Sequence, residues 1–110
     1  MDIGCSTGCL LSLFKQNGYI NLLGIDPSSA CVKTVKDLYG IESIVGNISN
    51  FISNKKFDLI ILSAVLEHLV DFKGAMGKIR SLLKENGLLF IEIPDAARFN
   101  KYIFTPFQQF

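Results

Sequence analysis

The residues best placed to do chemistry stand in the first eight positions, Met1-Asp2-Ile3-Gly4-Cys5-Ser6-Thr7-Gly8. Asp2-Ile3 reads as the end of a buried strand, Gly4 to Gly8 as a tight turn, and Cys9 to Phe14 as the opening of a helix. A strand that feeds a helix through a glycine-bounded loop brings backbone N–H groups close to a ligand, because glycine has no Cβ to block the approach. Three more segments carry groups of interest: Asp26-Pro27 after an apolar run, Gly46-Asn47, and Ser63 to His68, which holds the one histidine of the chain.

Short loop templates sort the possible chemistries. The dinucleotide pattern G-x-G-x-x-G fails because Ser6 stands where the second glycine belongs, and the phosphate-loop pattern fails because Gly8 is followed by Cys9. The nucleophile-elbow pattern G-x-S-x-G fits Gly4 to Gly8 literally. In that α/β-hydrolase alternative Ser6 is a nucleophile and His68 its base. An acid is then needed between them, and Asp37 and Asp58 have no evident route to the site. The histidine of that fold also follows the last strands, whereas His68 follows the fourth.

The elements that must position these residues alternate. A helix is expected from about Gly8 to Asn17 with Leu10, Leu11, Leu13 and Phe14 inward, stopped by Gly18. A strand follows at Leu22 to Asp26, then a helix capped by Ser28, carrying Cys31, Val32, Val35, Leu38 and Tyr39 and ended by Gly40. Ser43 to Val45 reads as a third strand, Ile48 to Ile52 as a short helical turn, and Phe57 to Leu62 as a central strand buried on both faces. Asp71 caps a helix whose inner face is Phe72, Ala75, Met76, Ile79, Leu82 and Leu83 and which Asn86-Gly87 ends. Leu88 to Ile93 is the fifth strand. Alternation of this kind means right-handed crossovers and a parallel sheet covered by helices on both faces. Ligands of such sheets bind beyond the carboxyl ends of the strands. Gly4 to Gly8, Asp26, Gly46-Asn47 and Ser63 to His68 all fall there.

Composition narrows the class. The 110 residues suit one domain, 1–110, which buries very roughly two-thirds of its unfolded surface. A hydrophobic content of 49% against 19% charged excludes disorder. The net charge of +1, with dispersed Lys and Arg, offers no nucleic-acid stripe and no polybasic anchor. No apolar run reaches the ~20 residues of a membrane span. Cys5, Cys9 and Cys31 form no C-x-x-C pair, so neither a disulfide framework nor a metal site is expected, and a reducing cytoplasm is the default.

With those segments placed, the chain resembles the class I S-adenosylmethionine-dependent methyltransferases over nearly its whole length. Asp2 to Gly8 is similar to the family's D-x-G-x-G-x-G loop, Gly24-Ile25-Asp26-Pro27-Ser28 to its second-strand acid motif, Phe57 to His68 to its fourth-strand motif, and Leu83 to Leu89 to its approach to the fifth strand. The resemblance implies a three-layer αβα sandwich around a Rossmann-like, doubly wound, mainly parallel sheet of order 3-2-1-4-5. It implies S-adenosylmethionine as cofactor and a small-molecule acceptor. Asp2 then orients the cofactor ammonium. Gly4, Cys5, Ser6 and Gly8 line its methionine part, and Asp26-Pro27 meet its ribose. Asn47 and Ile48 flank the adenine, and Ser63-Ala64 border the sulfonium and the acceptor. Methyl transfer needs mainly alignment and exclusion of water, because the sulfonium is already activated. His68 is the candidate base for acceptors that require one.

The same residues also have plainer readings. Asp26 caps a helix, Cys5 is a buried small hydrophobe, His68 lines a pocket, and Glu67 is a solvated charge at a helix start. A non-catalytic cofactor-binding module would keep Gly4, Gly8 and Asp26 and lack an acceptor site. The chain departs from the family pattern at Ser6, where the loop's central glycine is usual, and at Asn47, where an aspartate is common. It opens almost inside its first strand, and 95–110 is an aromatic tail with Phe99, Tyr102, Phe104, Phe107 and Phe110. It is therefore read as a fragment truncated at both ends and inactive in isolation. Self-association is expected through that tail or through the apolar edge of the fifth strand.

Overall fold

The computed structural model describes residues 1–95 of the 110. In chain order they form β1 (Asp2–Ile3), α1 (Cys9–Gln16), β2 (Leu23–Asp26), α2 (Ser29–Tyr39), β3 (Glu42–Val45), β4 (Phe57–Ser63), α3 (Phe72–Leu82) and β5 (Leu83–Glu92), with a single 3₁₀ turn at Leu66–His68 before α3. The five strands make one sheet of order β3-β2-β1-β4-β5, and every pair in it is parallel. This is the Rossmann-like, doubly wound architecture expected. Every adjacent pair except β1 and β4 joins strands consecutive in the sequence, so the order reverses, and the switch point lies, between β1 and β4.

Register assigns each residue a face. Asp2 pairs with Gly24 and Ile61, and Gly24 pairs with Ser43. Ile3 pairs with Ile25 and Leu62. Successive side chains alternate across a strand, so Asp2, Gly24, Ser43 and Ile61 share one face and Ile3, Ile25 and Leu62 the other. On the first face Cys5, Leu11, Val35 and Ile41 cluster under α1 and α2, and the Ser43 hydroxyl donates to the Val32 carbonyl of α2 at 3.0 Å. Gly24 permits this packing, since a Cβ there would stand 2.7 Å from Cys5 Sγ and 2.9 Å from Leu11 Cδ1. On the second face Ile3, Ile25, Ile60 and Leu62 pack against Ala75, Ile79 and Leu82 of α3 and against Ile48 and Phe51. Two helical layers on opposite faces give the αβα sandwich.

The caps stand where local chemistry puts them. Ser28 Oγ accepts from Cys31 N, Asp71 accepts from Gly74 N, and Gly40 closes α2 in the left-handed region at φ 58°. Some details differ from the periodicity. Leu13 is exposed while Leu11 and the neighbouring Ser12 are buried; residues two apart are about 200° apart on a helix, so Leu11 and Leu13 cannot both face the sheet. Ser12 tolerates burial because its hydroxyl donates to the Cys9 carbonyl at 2.7 Å. Leu38 and Phe72 are also exposed. Residues 48–50 form a turn rather than a helical element, and Phe51 N closes it on the Asn47 carbonyl at 3.1 Å.

The largest difference is at β5. The third helix stops at Leu82, and Leu83 already pairs with Phe57, after which Leu88 pairs with Leu59. Six residues of β5, 83–88, therefore span three of β4, 57–59, an enlarged bulge. Gly87 sits inside it, where a Cβ would lie 2.9 Å from the Phe57 carbonyl oxygen, and Lys84 Nζ spans both Asp58 carboxylate oxygens at 2.8 Å. Beyond the bulge Leu88, Leu89, Phe90, Ile91 and Ile93 remain exposed along the outer edge of the sheet. The aromatic residues of the tail, through which self-association is also expected, lie outside the described residues. An open cavity of about 1010 Å³ lies at the amino ends of the strands, between Leu22-Leu23 and Phe57 to Leu59. It is at the opposite end of the sheet from the glycine loop.

Candidate functional site

The glycine loop is clamped to the end of β2. Gly4 N and Cys5 N both donate to the Ile25 carbonyl, at 2.7 and 3.0 Å, and Gly8 N donates to the Cys5 carbonyl at 2.9 Å. Gly4 and Gly8 have φ of 75° and 83°, a region that side chains rarely adopt. Each is also fixed by packing: a Cβ on Gly4 would lie 2.3 Å from Val65 Cγ2, and one on Gly8 would lie 2.8 Å from Val35 Cγ2. Ser6 holds φ 49° in spite of its Cβ, and its side chain stands exposed at the loop tip.

Asp26 explains how Ser6 is held there. One carboxylate oxygen accepts from Ser6 N and the other from Ser28 N, both at 2.8 Å, and the residue is buried. The acid thus ties the glycine loop to the start of α2. Two amide bonds use one lone pair of each oxygen and leave the others for a diol. Asp2 lies on the same sheet face. Burial pushes its carboxyl up to about 6; the Met1 ammonium pulls the other way, and the Asp26 carboxylate adds to the rise. The Cys5 thiol is pushed up to about 12, first by burial and then by Asp2 and Asp26, so it is an inert core group and only its backbone belongs to the loop surface.

The remaining expected residues separate. Asn47 is exposed next to Gly46, whose N–H donates to the Asp26 carbonyl at 3.0 Å. Its side-chain oxygen already accepts from Ser49 N and Asn50 N, which leaves its amide N–H₂ for a ligand. Ile48 is 0% exposed within the core, so its side chain is no wall of the crevice. Pro27 is exposed beside Asp26. Ser63 ends β4, and Ala64 follows in the left-handed region at φ 54°. His68 is exposed at the end of the 3₁₀ turn. Among the described residues no group of His, Cys, Asp and Glu could hold a metal.

One neighbour was not anticipated. Glu92 pairs in register with Ser63, accepts the Ser63 hydroxyl proton on Oε2, and accepts Ala64 N on its carbonyl at 3.0 Å. The signal was present in part, since Ser63 and Glu92 each follow an apolar run, but strand register was needed to put them side by side. With Glu92 included, the segments at the carboxyl ends of the strands are 4–8, 26–28, 46–47, 63–68 and 92–95. They carry Asp26, Glu67, Glu92 and Asp95 and no Lys or Arg. The first turn of α1 has no side-chain cap and no acidic residue, so its leading amides are left for another acceptor. Among the described residues the crevice is therefore anionic, with one uncapped helix start.

Comparison with known proteins accords with this geometry. A family model described as "Methyltransferase domain" matches residues 1–106. The chain is 28% identical over 96 residues to a ubiquinone biosynthesis O-methyltransferase of Rhodopseudomonas palustris, covering 83% of this chain and 38% of that protein. It is 24% identical over 98 residues to the ubiquinone/menaquinone biosynthesis C-methyltransferase UbiE of Campylobacter jejuni, covering 82% and 42%. Its fold superposes with a TM-score of 0.83, at 23% identity, on the plantazolicin methyltransferase BpumL in complex with a triazolic desmethylPZN analog and SAH, covering 91% of this chain and 40% of that one. The chain spans about two fifths of the length of these relatives.

Proposed function

The chain belongs to the methyltransferase domain family, and we propose that it is the cofactor-binding part of an S-adenosylmethionine-dependent methyltransferase acting on a small-molecule acceptor. The observation that carries this reading is the anionic crevice beyond β1, β2 and β4. A dinucleotide brings phosphates, which need N–H donors and basic residues; here the loops offer carboxylates. S-adenosylmethionine brings an ammonium, a sulfonium and a ribose diol. Asp2, a carboxyl kept partly protonated by burial, gains by meeting a cation. Asp26 offers its free lone pairs to the diol, the uncapped start of α1 suits the cofactor carboxylate, and the Asn47 amide lies toward the adenine side. When bound, the cofactor supplies an activated methyl group; the chain's own residues hold, orient and shield it. The relatives named above are described as methyltransferases of ubiquinone or menaquinone biosynthesis and of plantazolicin, which supports a small organic acceptor.

Further parts of the reading rest on the same features. No helix among the described residues is long and apolar enough to cross a membrane, and three free cysteines suit a reducing compartment; we assign the protein to the cytoplasm. The exposed apolar edge of β5 supports self-association through that strand.

Calorimetric titration of the chain with S-adenosylhomocysteine and with NAD tests the central claim. Saturable binding of the first with no binding of the second is expected. Preference for NAD would overturn it. Binding without methyl transfer by any longer form of the protein would favour a non-catalytic module.

A further inference from the structure

The register row beyond the switch point carries a pair, Ser63 and Glu92, of which the cofactor reading uses only Ser63. Asp26, Ser63 and Glu92 lie on the sheet face that also bears Asp2, with Gly4 in line between Asp26 and Ser63. Two strand spacings separate Asp26 from Ser63, about 10 Å. A ligand held by its ribose at Asp26 and laid across Gly4 therefore presents its far end to Ser63. The Ser63 hydroxyl has one proton, and it goes to Glu92 Oε2. What the oxygen then has left is lone pairs alone, polarised by a carboxylate. The arrangement is held a second time through the backbone, where Ala64 N donates to the Glu92 carbonyl at 3.0 Å while Ala64 keeps its left-handed φ of 54°. Non-glycine strain of this kind persists where surrounding bonds over-determine it, and it gathers at working sites. Among the described residues, the loop segments beside Glu92 at the carboxyl ends of the strands carry no Lys or Arg.

We propose that Glu92, acting through the Ser63 hydroxyl, is a positioning residue for the cationic end of the cofactor and sets a preference for a sulfonium over the neutral thioether. The proposal rests on the methyltransferase reading. An acceptor-only oxygen backed by a carboxylate attracts a positive sulfur and its polarised methyl hydrogens, and it gains nothing from a neutral sulfur. The preference serves turnover, because the product leaves the site without the charge that held the substrate. Glu92 is exposed, so solvent screens its charge and the effect is modest.

The test is the ratio of two affinities, read by calorimetry at low salt on the chain as it stands. S-adenosylmethionine and S-adenosylhomocysteine are each titrated into the parent, Glu92→Gln, Ser63→Ala and the double variant. Glu92→Gln keeps an acceptor oxygen and removes the charge. Affinity for the sulfonium form should fall about two- to fivefold in each single variant, the span expected for a screened charge, with the thioether form unchanged. The double variant should lose no more than the worse single, because both act through one hydrogen bond. Ser63→Thr keeps the hydroxyl and should restore the parental ratio, which a purely structural role at the β4 end would not predict. Parallel weakening of both ligands, or no change in the ratio, overturns the role of Glu92 while leaving the methyltransferase reading intact. Failure of the parent to bind either ligand overturns both.

Discussion

Replacing Asp2 with Asn should make the protein more stable at neutral pH and worse at holding its cofactor. The folded carboxyl titrates at about 6 against 3.8 for the ordinary group, chiefly because it is buried. The folded state therefore binds more protons than the unfolded state between about pH 4 and 6. Stability falls as pH rises through that window. Two units at about 1.4 kcal/mol each put the deficit near 3 kcal/mol by pH 7. The isosteric amide carries no charge and escapes that deficit, but its own burial costs about 1–2 kcal/mol where hydrogen bonds are incomplete. A net gain of about 1–2 kcal/mol at pH 7 is expected, vanishing or reversing near pH 4. Urea unfolding of both proteins at a series of pH values reads the difference directly. The buried Met1 ammonium, lowered from 8.0 by burial and held up in part by the Asp2 charge, adds a slope of opposite sign just below pH 8, so variant and parent are compared through the window from about pH 4 to 6. Binding supplies the second half of the test. A cofactor cation drawn against Asp2 favours the carboxylate, so parental affinity for S-adenosylmethionine should rise from pH 5 to 7 with release of a proton, and the variant's should stay flat. A stability difference that does not vary with pH would refute the reasoning.

Other substitutions probe the rest of the site. Asp26→Ala removes the acceptor of Ser6 N and Ser28 N; water replaces part of the loss at exposed Ser6, so about 2 kcal/mol of stability should go, together with a ten- to hundredfold fall in S-adenosylhomocysteine affinity. Unchanged urea midpoints would show that the two amide bonds do not anchor the loop. Gly24→Ala forces a methyl between Cys5 and Leu11 and should cost about 1–3 kcal/mol by overpacking, seen as a lower thermal midpoint. Ser6→Ala should leave cofactor binding largely intact, since Ser6 contributes its backbone N–H to Asp26; ester hydrolysis that disappears with this substitution would restore Ser6 as a nucleophile.

What the sequence by itself determined was the order of elements and the places where backbone must turn. Gly4, Gly8, Gly40, Ser28 and Asp71 act locally, through φ or through a cap one turn away, so their roles are legible without the fold. Apolar runs at 22–26 and 57–62 announce strands because burial in the middle of the sheet demands them, and the run at 88–93 announces a strand too, although its side chains stay exposed along the sheet edge. Asp26, an acid at a strand end, could be picked out for the same reason. Tertiary structure alone decided everything that depends on distant neighbours. Register joined Ser63 to Glu92 across 29 positions and converted Leu83 to Gly87 from a helix end into a bulge, since pairing with β4 outweighs local helical preference. The orientation of α1 exposed Leu13 and buried Ser12. Packing under α3 took Ile48 into the core and away from the crevice. The ionisation of Asp2 and the inertness of Cys5 arise from desolvation, which is set by whatever atoms surround a group and not by the residues beside it in the chain.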